Sequence, residues 1–254
     1  MISQQTAVDF TFSSEDLRIF IPVISVLIAF ITFWFLWKSD RFQHRLIEKY
    51  GVDWGAANIV IYSKIFGGFV MSILPVAAYM IAFPETNFFD LGLGVSVEEL
   101  KSTLSWSLGL STLLILIVWI KTRNPKTLDS YPYNQYPQIR INNWTRKMMV
   151  IYLISWTIYM FSYEFMFRGL LLFTVKDAIG LWPAIAVNIA IYSGTHIPKG
   201  LEETLGSIPF GIILCLITIE TGNMWTAALV HIAISHTVNL TTFKWHPELK
   251  FIDN

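Results

Sequence analysis

Glu164 and Arg168 stand four residues apart in a stretch otherwise built of Phe, Met, Tyr and Gly, so on a helix they share a face and neutralise each other. His196 closes a later apolar run, and His231 and His236 fall inside the last one. An ionised side chain at membrane depth costs at least a few kcal/mol, so such groups face the protein interior and pair. A carboxylate, a guanidinium and imidazoles on separate helices suit hydrolysis: Glu164 takes a proton from water, while the imidazoles hold the water or donate to an oxyanion. The same Glu164, His196 and His231 also offer zinc (Zn2+) two nitrogens and one carboxylate with a position left open for water, and spacing does not choose between the two chemistries. His236, five residues past His231, is turned about 140° from it on a helix and is expected off the shared face.

Each residue has a plainer reading beside the chemical one. Glu164 with Arg168 is also what a structural intramembrane ion pair looks like, His196 beside Pro198 and Lys199 also suits a helix end at the interface, and His231 also suits a helix–helix hydrogen bond. Lys64 is expected to snorkel and Cys215 to pack in the core. Neither a zincin HExxH nor a GxSxG nucleophile elbow is present.

The elements that must position these residues are apolar. Hydrophobic residues make up 54% of the 254, charged residues 14%, and the mean hydropathy is +0.52, which makes a bilayer the expected solvent. Zero net charge argues against nucleic acid as a partner, and the lone Cys215 excludes an intrachain disulfide or a thiolate zinc cluster. Acidic Asp9, Glu15 and Asp16 ahead of the first apolar run are the wrong charge pattern for a cleaved signal, so that run is expected to stay as an anchor.

Crossing about 30 Å of hydrocarbon takes about 20 residues, and seven runs approach that length: 19–37, 57–83, 104–120, 148–175, 181–196, 204–219 and 224–240. The fold class is therefore all-α, a polytopic membrane bundle of about seven helices, or eight if the overlong fourth run is broken. Pro209 predicts a kink in the sixth. Bases concentrate after the first run (Lys38, Arg41, Arg45, Lys49) and after the third (Lys121, Arg123, Lys126, Arg140, Arg146, Lys147), whereas Glu85, Asp90, Glu98 and Glu99 dominate after the second. The positive-inside rule then puts the N-terminus outside and the C-terminus in the cytoplasm. Residues 41–54 suit either a short helix on the inner surface or a polar loop. Three prolines make the connection 122–147 irregular, dividing an N-terminal three-helix part, 1–121, from a C-terminal four-helix part, 148–254, that carries the motifs.

Read as an ordered set, the C-terminal segments resemble the CPBP family of intramembrane proteases, which includes the CAAX prenyl endopeptidases. Tyr163, Glu164, Phe165, Met166, Phe167, Arg168 and Gly169 match its EExxxR motif with the FRG continuation. Tyr192 through His196 match FxxxH, and Thr221, Gly222 and Trp225 lead to His231 as in its third motif. Two positions depart from the family: Tyr163 stands where the first glutamate, generally assigned to activate water, is usual, and Ser235 where Asn or Asp follows the last histidine. A phenol with an ordinary pKa near 10 is a poor general base, and serine offers one donor where an amide offers two.

The resemblance implies a peptidase of the bacterial inner membrane that cleaves a peptide or lipidated peptide near a membrane-associated segment, with Glu164, His196, His231, Arg168, Ser235 and Tyr163 at the site and membrane lipid around it. Two rivals are a catalytically impaired homologue serving as a binding, immunity or maturation partner, and a proton-coupled transporter relaying through the same groups.

Overall fold

The computed structural model describes residues 10–124, 141, 143–245 and 250–252, the side chain of Thr242 apart. Helix starts coincide with polar caps. Ser13 and Asp16 form a reciprocal capping box that opens α1 (Ser14–Trp37). Ser96 and Glu99 do the same for α4 (Val97–Lys121), at 2.8 and 3.2 Å. This box carries Glu98 and Glu99 into the first helical turn, where their charge opposes the helix dipole, so α4 begins well ahead of the expected 104. Between them, α2 (Asp40–Tyr50) is a short helix, and α3 (Val52–Ala82) starts after the left-handed Gly51 (φ 76°). Residues 41–50 are thus helical, and Trp54 belongs to the second long helix rather than to the surface segment.

Thr145 caps α5 (Arg146–Glu164) by accepting from the Met148 amide at 3.1 Å. The overlong fourth run does not end at Glu164; it widens into a π-helical stretch, Phe165–Leu171, and resumes as α6 (Leu172–Ile179). Left-handed Gly180 (φ 86°) turns the chain into α7 (Leu181–Gly194), a 3-10 turn follows at Ile197–Lys199, and α8 (Leu201–Thr221) and α9 (Trp225–Trp245) complete the bundle. Helix α8 runs unbroken through Pro209. Two-residue strands, β1 (Asn143–Trp144) and β2 (Lys250–Phe251), pair in parallel and tie the chain end to the start of α5. Most of the expected irregular connection, with Pro125, Pro132, Pro137, Lys126 and Arg140, lies outside the described residues.

Among the described residues, five helical segments are long and apolar enough to cross a membrane: Ser14–Trp37, Val52–Ala82, Val97–Lys121, Arg146–Ile179 and Leu201–Thr221. The fold is an all-α bundle with five such spans rather than a demonstrated seven, because α7 is only 14 residues long and α9 is diluted by its histidines, threonines and Asn239. Outward faces carry Leu108, Leu113, Leu116 and Ile120 on α4 and Phe69, Ile73 and Leu74 on α3, the composition that lipid tails solvate.

Helix α3 is the hub, packed on α1, α2 and α5. Gly67 and Gly68 let its backbone approach: a Cβ on Gly68 would lie 3.1 Å from Ile158 and 3.3 Å from the Ser162 hydroxyl of α5. Lys64, on the same helix, does not snorkel. It is 3% exposed, since its position faces the seam of α1, α3 and α5, where aromatic rings surround it. Replacing Gly68 by Leu is expected to overpack this seam and lower stability by about 1–3 kcal/mol. Gly109→Leu, whose Cβ meets nothing within 4 Å, is expected to cost under about 0.5 kcal/mol. Thermal unfolding midpoints of the two purified variants in detergent check the difference.

Candidate functional site

The wide π turn starts one residue past Glu164 and holds Arg168 within it, the kind of local irregularity that recurs at functional sites. Both side chains have zero exposure. An Arg168 nitrogen lies 3.1 Å from Glu164 Oε2 as an ion pair, and the same nitrogen donates to Oε1 at 3.4 Å. The 3.1 Å approach lacks hydrogen-bond alignment, so Oε2 and the Arg168 Nε and Nη2 groups have no hydrogen-bond partner among the described residues. The guanidinium stacks on Tyr192, 4.1 Å from the ring centre.

His231 closes the cluster from α9. Its Nδ1 lies 2.5 Å from Glu164 Oε1, and because a carboxylate only accepts, Nδ1 carries the proton and Nε2 is the second nitrogen, with no hydrogen-bond partner among the described residues. The position of His231 follows from a clamp two turns earlier. Asn223 donates to Thr103 Oγ1 at 2.9 Å and to the Thr221 carbonyl at 2.7 Å, and its side-chain oxygen accepts from the Trp225 amide. Trp225 Nε1 donates to the Leu93 carbonyl at 2.9 Å, which fixes the start of α9 against the segment before α4. The Thr-Gly turn and its tryptophan, which the sequence presents as a motif, act here as this clamp, with Gly222 in the left-handed conformation (φ 71°).

His196 sits just past α7, buried, with its Nδ1 2.9 Å from the Tyr192 carbonyl and 3.3 Å from Thr195 Oγ1. It makes no hydrogen bond or ion pair with Glu164 among the described residues; the Tyr163 ring contacts both histidines. The Tyr163 ring centre is 6.5 Å from that of His196 and 5.8 Å from that of His231, each edge-on. Thr195 Oγ1 donates to the Tyr192 carbonyl at 2.7 Å, so its contact with the Tyr163 hydroxyl, also 2.7 Å, uses the tyrosine proton. The phenol therefore donates and takes no proton.

Ser235 lies on α9 one turn beyond His231, half-buried, and its hydroxyl has no partner among the described residues. Asn239, a turn further, donates to the Ser235 carbonyl at 2.9 Å and accepts from the Tyr152 hydroxyl at 3.4 Å. An asparagine is thus present on this face, but displaced by one turn and spent on α5. His236 contacts Thr157 Oγ1 at 2.9 Å and stays out of the Glu164 cluster. Thr195 and Asn223 fall within the second and third motif segments, but nothing in the sequence assigned them a role; the structure gives Thr195 the Tyr163 hydroxyl and Asn223 the clamp on Thr103.

The three residues that zinc would need do not fit it. Among the described residues no group of three His, Cys, Asp or Glu is arranged to hold a metal. Arg168 already supplies the Glu164 carboxylate with a positive charge, and His196 makes no hydrogen bond or ion pair with that carboxylate among the described residues. Removing that charge leaves a fully buried carboxylate with His231 as its one remaining partner among the described residues. Arg168→Met is expected to lower stability by about 3–5 kcal/mol, and adding Glu164→Gln to recover more than half of the loss. Denaturant unfolding in mixed micelles, followed by tryptophan fluorescence, measures the cycle.

Residues 145–237 match the family described as type II CAAX prenyl endopeptidase, Rce1-like. The matched stretch contains Glu164, Arg168, His196, His231 and Ser235 and leaves out α1 to α4. No curated protein and no solved structure matches the chain.

Proposed function

We propose that this chain, an integral membrane protein of the CPBP family of intramembrane proteases by its match over residues 145–237, hydrolyses a peptide bond close to a membrane-associated or lipidated segment. The observation that carries the reading is the buried contact between Glu164 and His231, held from the other side by Arg168. Carboxylate and imidazole form a base–orienter couple: Glu164 fixes the proton on Nδ1 and stabilises the imidazolium, so His231 Nε2 takes the proton as water attacks the carbonyl carbon. His231 then returns that proton to the leaving amine. His196, whose Nδ1–H is held by the Tyr192 carbonyl, offers its own Nε2 to orient the water. Arg168 keeps the carboxylate's charge and adds positive potential against the tetrahedral oxyanion. In this chain Tyr163 is a hydrogen-bond donor that walls the site, which explains how Tyr stands where the family's first glutamate is usual.

A second reading rests on that same substitution. With Tyr163 bound to Thr195 and no second carboxylate in the cluster among the described residues, the scaffold binds a peptide without cutting it. Both readings keep the three long N-terminal helices, α1, α3 and α4, as one part and propose the N-terminus outside.

Reconstituted protein and a panel of lipidated and unlipidated peptides separate them. Wild type is expected to cleave, His231→Ala to lose about 10²–10⁴-fold in rate, and Glu164→Gln about 10²-fold or more, with Tyr163→Phe staying within about threefold of wild type. Equal rates for wild type, His231→Ala and Glu164→Gln remove hydrolysis at this site, and a wild type that binds the peptides uncut establishes the second reading.

A further inference from the structure

Lys64 is 3% exposed, yet among the described residues no carboxylate and no hydrogen-bond acceptor pairs with its ammonium. Its neighbours are ring faces, with centres at 3.9 Å for Tyr159, 4.0 Å for Trp156 and 4.3 Å for Trp37. Such faces favour the charged form of the amine but supply no counter-charge. The side chain lines a cavity of about 190 Å³ that Lys38 and Lys199 also line, and no acidic side chain does so among the described residues. Lys199 is near enough for its charge to act on that of Lys64. One carboxylate, Glu203, stands 3.7 Å from the Lys199 amine, and Lys38 lies over the Trp34 ring at 5.1 Å. Three ammoniums against one acid leave a positive surplus round one space, with its buried member unpaired. An anion in that space is what completes the arrangement.

The surroundings of the cavity narrow the choice of anion. Exposed Lys38 and Pro198 mark its rim, and buried Lys64 its depth. Trp34 and Trp37 belong to the last turn of α1, and the chain passes directly from them to Lys38, Arg41 and Arg45. Tryptophan beside lysine at a helix end is how a span meets the headgroup layer, and bases there attract anionic lipid. We infer that this cavity binds a phosphate monoester, carried by a lipid of the phosphatidic acid class or present as the free ion. A monoester carries about −1.5 to −2 charges at neutral pH, which matches the surplus of Lys64 and Lys38 once Glu203 has answered Lys199. Lysine meets phosphate as a point charge, so separate amines can surround one tetrahedral group without the fork geometry an arginine would impose. The space far exceeds the roughly 10–15 Å³ that one water needs, so a phosphate group enters while acyl chains stay outside among the bilayer lipids. The site stands whether or not the protein hydrolyses peptides. It is close to the Glu164 cluster all the same, because Thr195 and Tyr159, which line it, both contact Tyr163.

The test places the full chain in phosphatidylcholine nanodiscs with a minor share of phosphatidic acid, or of phosphatidylglycerol as the diester control, and counts the lipids retained in native mass spectrometry. Wild type is expected to retain phosphatidic acid about tenfold above its share of the bilayer, and phosphatidylglycerol about threefold or less. Lys64→Met keeps the volume and removes the buried charge, so it is expected to lose the enrichment while its thermal midpoint in pure phosphatidylcholine stays at or above that of wild type. The pair Lys38→Gln and Lys199→Gln, at positions that are not fully buried, is expected to lose it too and decides the matter if Lys64→Met does not fold. The pair Arg41→Gln and Arg45→Gln, on the exposed face of α2, is expected to keep it. Inorganic phosphate separates the two sources: a lipid enrichment that it does not displace assigns the lipid, and a rise in thermal midpoint that it alone gives, absent in Lys64→Met, assigns the free ion. A wild type that neither enriches phosphatidic acid nor gains stability from inorganic phosphate overturns the assignment. So does equal enrichment of the diester, or an enrichment that survives the cavity variants and falls with the α2 pair.

Discussion

A carboxylate and a guanidinium, both fully buried in a bundle whose outer faces are leucine, isoleucine and phenylalanine, persist only because they hold each other and a third group. Each ion alone would lose several kcal/mol of hydration, more than one helix contact returns. Glu164 solves this with Arg168 on its own helix and His231 on α9, and every other part of the site follows from keeping those three within reach. The π turn presents the acid and the base from one continuous segment, and the clamp at Asn223 and Trp225 sets the rotation of α9.

The packing around the cluster is arranged for close approach. Gly67 and Gly68 bring α3 against α5, so the helix that carries Glu164 is backed by the hub helix. That same approach buries Lys64 among four rings, and the second cationic site is thus a by-product of the seam that holds the first. Tyr163 connects them: its hydroxyl goes to Thr195, its ring faces both histidines, and its neighbour Tyr159 covers the Lys64 amine.

Much of this was legible in the residues. Hydropathy located the long helices, and the (i, i+4) spacing brought Glu164 and Arg168 to one face. The overlong run 148–175 announced an interruption, and the π stretch is where it falls. The five-residue step correctly turned His236 away from Glu164, toward Thr157. What periodicity did not contain is long-range geometry. Nothing in 181–196 says that His196 binds the carbonyl one turn back rather than Glu164, and nothing near Lys64 says that rings from α1 and α5 surround it. Helix starts were misplaced where polar caps, invisible to hydropathy, extend the helix into charged sequence, as Ser96 does for α4.

The central claim is that Glu164 holds the proton on His231 Nδ1 and leaves Nε2 free. Nitrogen-15 solid-state NMR of histidine-labelled protein in lipid, with the His231 signals assigned by their loss in His231→Gln, reads that arrangement directly. The account predicts a His231 ring protonated at Nδ1 and strongly hydrogen-bonded there, and a shift of the Nδ1 signal in Glu164→Leu. A His231 spectrum that is the same with and without the Glu164 carboxylate would contradict it.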